Sequence, residues 1–356
     1  MDQIEKLLQE ITEAGGVSGY EGDVRAIMRR HLDGVAIIEQ DKMGSFIGKH
    51  VGGSERPRVM LAGHMDEIGF MITFITKEGF AKFVPLGGWW DQVLLGHRVI
   101  VKTSAGDVVG VLGAKPPHLL DADERKKIVE KKDMYIDVGA SSEDEVREIG
   151  VRPGDPVIPV SEFTVMANPK MYLSKAFDNR VGCALAIQTL QEVASDGHPN
   201  TVYVVGTVQE EVGLRGAKTS AHLISPDVAL ILEVDIAGDV PGIEPEQSAV
   251  KMAGGPTLLM YDARMIPNLK LRDLVIATAK ELDIPLQFSA MTGGATDGGM
   301  IHIHNEGVPT VVIGVPTRHI HSHNAILHRD DYDRALKLIV ALVKKLDADT
   351  VAGLTA

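Results

Sequence analysis

Glu210 and Glu211 are adjacent carboxylates that follow Thr201-Val-Tyr-Val-Val-Gly-Thr207, a β-branched, proline-free run that reads as a buried strand of a parallel sheet. Like charges held this close raise each other's pKa unless a proton or a cation intervenes. The carboxyl ends of strands in an open α/β sheet form its ligand crevice, so a metal ion is the cation to look for. Other strand ends carry similar chemistry. Arg58-Val-Met-Leu-Ala-Gly63 runs into His64-Met-Asp66, where extended backbone points both side chains the same way and lets the acid orient the imidazole. Asp227-Val-Ala-Leu-Ile-Leu-Glu-Val-Asp235 ends in an acid, and a further apolar run over residues 308–317 leads into Arg318-His-Ile-His321. Asp178 stands just before an apolar helix expected over residues 181–193, where a helix amino end suits an anion; simple capping is its alternative reading.

These strand ends deliver two His and at least three carboxylates to one crevice, a mixed N/O donor set that suits Zn²⁺, Co²⁺ or Mn²⁺. More acids are present than one ion needs. That surplus points to two ions bridged by one carboxylate, the ~3.5–4 Å arrangement of hydrolytic dimetal sites.

Other reactive residue types are assigned to structure. Cys183 lies within the expected helix with no partner to lower its pKa, and reads as packing. His302 and His304 follow a glycine loop and are expected on a short helix, facing different ways. His319 and His323 flank His321 as supporting or surface residues, and His97 and His118 are expected to be structural. Met291-Thr-Gly-Gly-Ala-Thr-Asp-Gly-Gly299 is glycine-rich but lacks the Lys and spacing of a phosphate loop, which excludes nucleotide binding there.

The elements that must position this chemistry form an α/β pattern with an interruption. Helices are expected over residues 1–33, with Ser18-Gly-Tyr-Glu21 capping the second. Between the first His-x-Asp and residue 163 the texture becomes short alternating runs separated by Gly-containing turns, that of a small β-barrel or sandwich. The expected organisation is a discontinuous α/β catalytic domain, residues 1–67 and 164–356, with a mostly parallel sheet between helices, and an inserted β-rich domain, residues 68–163. Trp89-Trp90 are candidate interface residues of the insertion.

The 356 residues carry 36 basic and 49 acidic side chains, net −13, which argues against nucleic acid or an anionic membrane as partner. No apolar run is long enough to span a bilayer and the start does not resemble a signal peptide. A single Cys fits a reducing compartment, so a cytoplasmic location is expected.

Five motifs, in order, carry a resemblance: His64-Met-Asp66, Ala176-Phe-Asp178-Asn-Arg180, Gln209-Glu210-Glu211-Val-Gly213, Glu233-Val-Asp235 and Arg318-His-Ile-His321-Ser322. Over essentially the whole chain the sequence resembles the TET aminopeptidases, tetrahedral dinuclear metallopeptidases that include glutamyl, leucyl, lysyl and deblocking enzymes. The loop Gly293-Gly-Ala-Thr-Asp297 departs from the family's more usual Gly-Gly-Thr-Asp-Ala. The resemblance implies that Asp178 bridges two divalent ions, that His64 and Asp235 complete one and Glu211 and His321 the other. It also implies that Asp66 orients His64 and that Glu210 is the general base acting on a metal-bridging water. It further implies peptide substrates cut at their N-termini, a PDZ-like insertion that makes dimers, and a dodecamer of six dimers. The alternatives are another metal-dependent amidohydrolase or deacylase, or an endoglucanase. The latter needs two carboxylates about a sugar bond and no metal, and fits poorly with His partners and 4% aromatic residues.

Overall fold

The computed structural model describes residues 1–355. The strands, in chain order, begin with β1 (Ile37–Gln40), β2 (Phe46–Val51) and β3 (Arg58–His64). Six follow in the insertion: β4 (Gly69–Ile75), β5 (Phe80–Leu86), β6 (Arg98–Thr103), β7 (Gly106–Gly113), β8 (Tyr135–Asp137) and β9 (Pro156–Pro159). The remainder are β10 (Thr164–Val165), β11 (Met171–Ser174), β12 (Thr201–Thr207), β13 (Val228–Ile236), β14 (Thr257–Asp262), β15 (Gln287–Met291), β16 (Thr310–Arg318) and β17 (Ala325–His328).

The centre of the large sheet is the parallel set β12-β3-β13-β16, flanked by antiparallel neighbours on both sides. These four strands are the apolar runs of the sequence, and their burial on both faces explains why they do not alternate. Parallel register brings their ends level. Thr207 pairs with His64, and Glu233 pairs with Gly314. One face is covered by helices Gln3–Glu13, Gly22–Leu32, Phe177–Asp196, Leu269–Glu281 and Arg329–Lys345, which bury a continuous core around Leu8, Met28, Leu185, Leu230 and Ile339. Helix Arg215–Ile224 covers part of the other face, with Ala217, Ala221 and Ile224 against Met60, Val205 and Ile231. Each fully buried Leu, Ile or Val contributes roughly 1.5–3 kcal/mol, so this core is a main source of the fold's stability.

Helix Phe177–Asp196 crosses the sheet closely enough that glycine is required on both sides of the contact. A Cβ on Gly63 would lie 2.6 Å from the Gly182 backbone, and one on Gly182 would lie 2.1 Å from the Leu232 carbonyl. This close approach lets the start of the helix reach the ends of β3 and β13.

The insertion closes into a six-stranded barrel, β4-β5-β8-β7-β6-β9, with its own core of Phe70, Ile72, Val99, Val101, Leu112, Ile136 and Val157. Its two tryptophans separate. Trp90 is exposed, but Trp89 is buried, so only one of the pair is available at a surface. Among the described residues, no helix is long and apolar enough to cross a membrane.

Candidate metal centre

His64 is the last residue of β3 and is buried. Its Nδ1–H donates to the Asp66 carbonyl at 2.9 Å, which leaves Nε2 to face the crevice. Nε2 lies 3.1 Å from Asp178 Oδ1, 3.9 Å from Glu210 Oε2 and 4.0 Å from Glu233 Oε1.

Asp178 does not cap its helix. It and Asn179 have non-helical dihedrals at the start of Phe177–Asp196, and Asn179 pins the turn by donating to the Leu232 carbonyl at 2.8 Å and accepting from the Gly182 N–H at 3.0 Å. The two oxygens of Asp178 therefore face two different imidazoles, His64 at 3.1 Å and His321 at 3.4 Å. Beneath the turn, Lys175 Nζ meets both Glu67 oxygens at 2.7 and 2.8 Å, and Arg180 reaches Glu67 at 3.3 Å; all three are buried. Burial pushes the Lys175 ammonium down to about 8, with Glu67 opposing the shift.

The carboxylate of Asp66 supports the Glu210–Glu211 loop more directly than it supports His64. It stands 3.4 Å from His64 Nδ1, but accepts the backbone N–H groups of Glu210 and Glu211 at 3.0 and 3.1 Å and the Ser18 hydroxyl at 2.6 Å. Ser18, expected to cap the second helix, is thus used here, and that helix begins after Glu21 with no side-chain cap. Glu21 in turn accepts from the Gln209 N–H at 3.0 Å, and Gln209 adopts a left-handed φ of 56° that turns the chain out of β12.

His321 completes the set from the loop after β16. Its Nδ1–H donates to the Gly88 carbonyl at 2.7 Å, and its Nε2 lies 3.7 Å from Glu211 Oε1. Gly88 belongs to the inserted barrel, and no local sequence signal links it to His321.

One expected ligand is corrected. Asp235 is not among the grouped donor atoms; its carboxylate accepts from the Ser289 hydroxyl and from the Ile236 N–H. Glu233, two residues earlier on the same face of β13, is buried at the level of His64. Alternation equates the two positions, and only depth along the strand separates them. The sequence signal was present: Glu233 is an acid inside an otherwise apolar buried strand. Asp297, in the glycine loop, carries no separate signal in the sequence. It is fully buried, accepts from Thr207, and its Oδ1 has no partner. His302 bonds to the Gly298 carbonyl at 2.8 Å and His304 stands near His222, so neither joins the described cluster.

The electrostatics identify what these groups lack. Burial raises Glu210 and Glu233 well above ordinary glutamate, with neighbouring acids adding to the shift and His64 opposing it. Burial, then Asp178, raises Glu211 to about 7, and burial raises Asp297 to about 6. Burial acts against charge on His64 and His321, yet the surrounding carboxylates raise both, His321 to about 10. Burial also acts against charge on Asp178, but its two imidazole partners hold it far below the usual range. A crevice in which acids retain protons and imidazoles acquire them is short of positive charge.

Divalent cations fit that deficit and this donor set. His64, Glu210 and Glu233 each offer an atom within 4.8 Å of the others, as do His64, Asp178 and Glu211. Both imidazoles commit Nδ1 to a carbonyl and present Nε2, the orientation that metal-ligating histidines take.

The described fold and cluster define a candidate metal centre at the ends of the central strands of an α/β sheet, with a separate barrel. Residues 44–338 match the model of the M42 glutamyl aminopeptidase family. The chain is 42% identical to a putative aminopeptidase, FrvX, of Escherichia coli, over 97% of this chain and 96% of that protein. It superposes on a TET aminopeptidase from a marine sediment thaumarchaeon with a TM-score of 0.97 at 50% identity, covering 99% of this chain and 100% of that one. It also superposes on the Pyrococcus horikoshii TET1 peptidase, described as assembling into a tetrahedron or a large octahedral shell, with a TM-score of 0.88 at 32% identity, covering 97% and 100%. The chain belongs to the M42 family and is an aminopeptidase, a peptide hydrolase.

Proposed function

We propose that this aminopeptidase removes N-terminal residues from peptides with two divalent metal ions, zinc or cobalt first and manganese as an alternative. The observation that carries this reading is that the two oxygens of Asp178 face the imidazoles of His64 and His321 separately. His64 and Glu233 would hold one ion, Glu211 and His321 the other, with Asp178 between them. When bound, such ions polarise a scissile carbonyl and lower the pKa of water towards 7.

Glu210 is the base. Its carboxylate lies 3.9 Å from His64 Nε2, and its backbone is held by the Asp66 bond to its N–H. It takes a proton from the water that attacks the carbonyl carbon, then passes that proton to the departing amine as the C–N bond breaks. Asp66 is a positioning residue for this step, since it holds both Glu210 and Glu211 at their backbones.

The barrel carries exposed Phe74, Val84, Trp90, Val109, Val111 and Leu119, which supports self-association through this domain, residues 68–163. Assembly of such dimers into a dodecamer is the form suggested by TET relatives that build closed shells. The single buried Cys183 supports a cytoplasmic location.

The test is a panel of aminoacyl-anilides, with carboxymethyl cellulose alongside, on chelated enzyme refilled with Zn²⁺ or Co²⁺. Release of the anilide only after refilling, with the cellulose untouched, supports the reading. Undiminished release by fully chelated enzyme contradicts it.

A further inference from the structure

The two imidazoles of the site are secured very differently. His64 is buried at a strand end, whereas His321 is 40% exposed on a loop, at a left-handed φ of 56° with His319 at 60°. The hydrogen bond that orients its ring runs to the Gly88 carbonyl of the barrel.

Two residues further on, His323 is buried, and neither ring nitrogen has a hydrogen-bond partner. A buried polar ring left unpaired is costly, so its retention asks for a reason. Its surroundings supply one. The His323 ring stacks on His97 at 3.8 Å and 16°, and packs on Trp89 at 5.1 Å. Trp89 stacks on Phe70 at 5.0 Å and 19°, and its Nε1–H donates to the Gly69 carbonyl at 3.1 Å. His97, Trp89 and Phe70 all belong to the barrel, and Trp89 directly follows Gly88. One corner of the inserted domain therefore holds the His321 loop at two points, the Gly88 carbonyl on His321 and the His97 and Trp89 rings against His323.

We infer that His97 and Trp89 are positioning residues for the metal centre: by packing their rings against His323 they set His321 within reach of its ion, so the barrel governs that half of the site. The inference rests on the two-ion reading above. Residues that orient a metal ligand from outside its coordination shell contribute about 10–100-fold in metal affinity.

Zinc titration of the chelated full-length protein, wild type against His97→Ala and His97→Phe, tests it. The expected result is that His97→Ala weakens one of two zinc equivalents by about 10–100-fold and leaves the other unchanged. The zinc concentration that half-restores activity should rise in parallel, while circular dichroism and melting temperature show an intact fold. His97→Phe keeps an aromatic face and should recover affinity to within a few-fold of wild type. Gly88→Ala, whose Cβ would lie 3.1 Å from His321 Nδ1, should weaken the same equivalent without touching the stack. Two equivalents bound by His97→Ala as tightly as by wild type would overturn the inference. So would a His97→Phe protein as defective as His97→Ala. Failure of the wild type itself to take up two equivalents would instead overturn the two-ion reading.

Discussion

Asp66 Oδ1 accepts the backbone N–H of Glu210 at 3.0 Å, so a fully buried carboxylate at the end of one strand fixes the proposed base at the end of the next. His64 and Thr207 are paired in register across those same strands, which brings the two ends level. Asp66→Asn keeps the shape but loses half of the acceptor capacity that serves Glu210, Glu211 and Ser18. The expected outcome is a fall in kcat of about 10–100-fold with KM within a few-fold and metal content retained. Steady-state kinetics beside elemental analysis checks this, and an unchanged kcat would remove Asp66 from the positioning role.

Glu210→Gln preserves volume and removes the proton acceptor. Metal content should stay at the wild-type level while kcat falls by about 10²–10⁴-fold. A variant that turns over at near wild-type rate would show that another group takes the proton.

Glu233 and Asp235 separate two accounts of the same strand. Glu233→Ala should cost one ion and most activity, because its carboxylate faces His64 at 4.0 Å. Asp235→Ala should keep both ions, because its carboxylate is engaged by the Ser289 hydroxyl and the Ile236 N–H. Metal analysis after dialysis decides between them; loss of an ion from Asp235→Ala alone would reverse the assignment.

That pair also marks how much of the site was legible in sequence. The four central strands could be read because burial on both faces demands long β-branched runs, and polar residues at their ends then stand out. Strand-end reading singles out His64, Glu210, Glu211 and His321, whereas Asp178 reads as a helix start and takes its bridging role from the resemblance. Sequence pattern does not separate Asp235 from Glu233, because a strand's end cannot be located to within two residues from its pattern and the two acids share a face. Ser18 looked like a cap and serves Asp66 instead, since a tertiary acceptor competes for the same hydroxyl. Gly88 and the His97–His323 stack had no local signal, because they join segments more than two hundred residues apart.

The pH dependence follows from the shifted groups. Glu211 is raised from 4.5 to about 7 and His321 from 6.5 to about 10. Across those windows the metal-free folded protein holds protons that the unfolded chain has released, so its stability is greatest below them and falls as pH rises through each. Bound cations displace those protons and relieve the penalty. The gain in melting temperature on adding Zn²⁺ to chelated protein should therefore widen between about pH 6 and pH 8. Scanning calorimetry of both forms checks this; a gain that narrows across the same range would contradict the charge balance described here.

The most direct measurement is anomalous diffraction at the zinc edge from crystals grown with zinc. Two peaks are predicted, one on each side of the Asp178 carboxylate, the first beside His64 and Glu233 and the second beside Glu211 and His321. A single peak, or peaks distant from Asp178, would contradict the two-ion centre and the mechanism built on it.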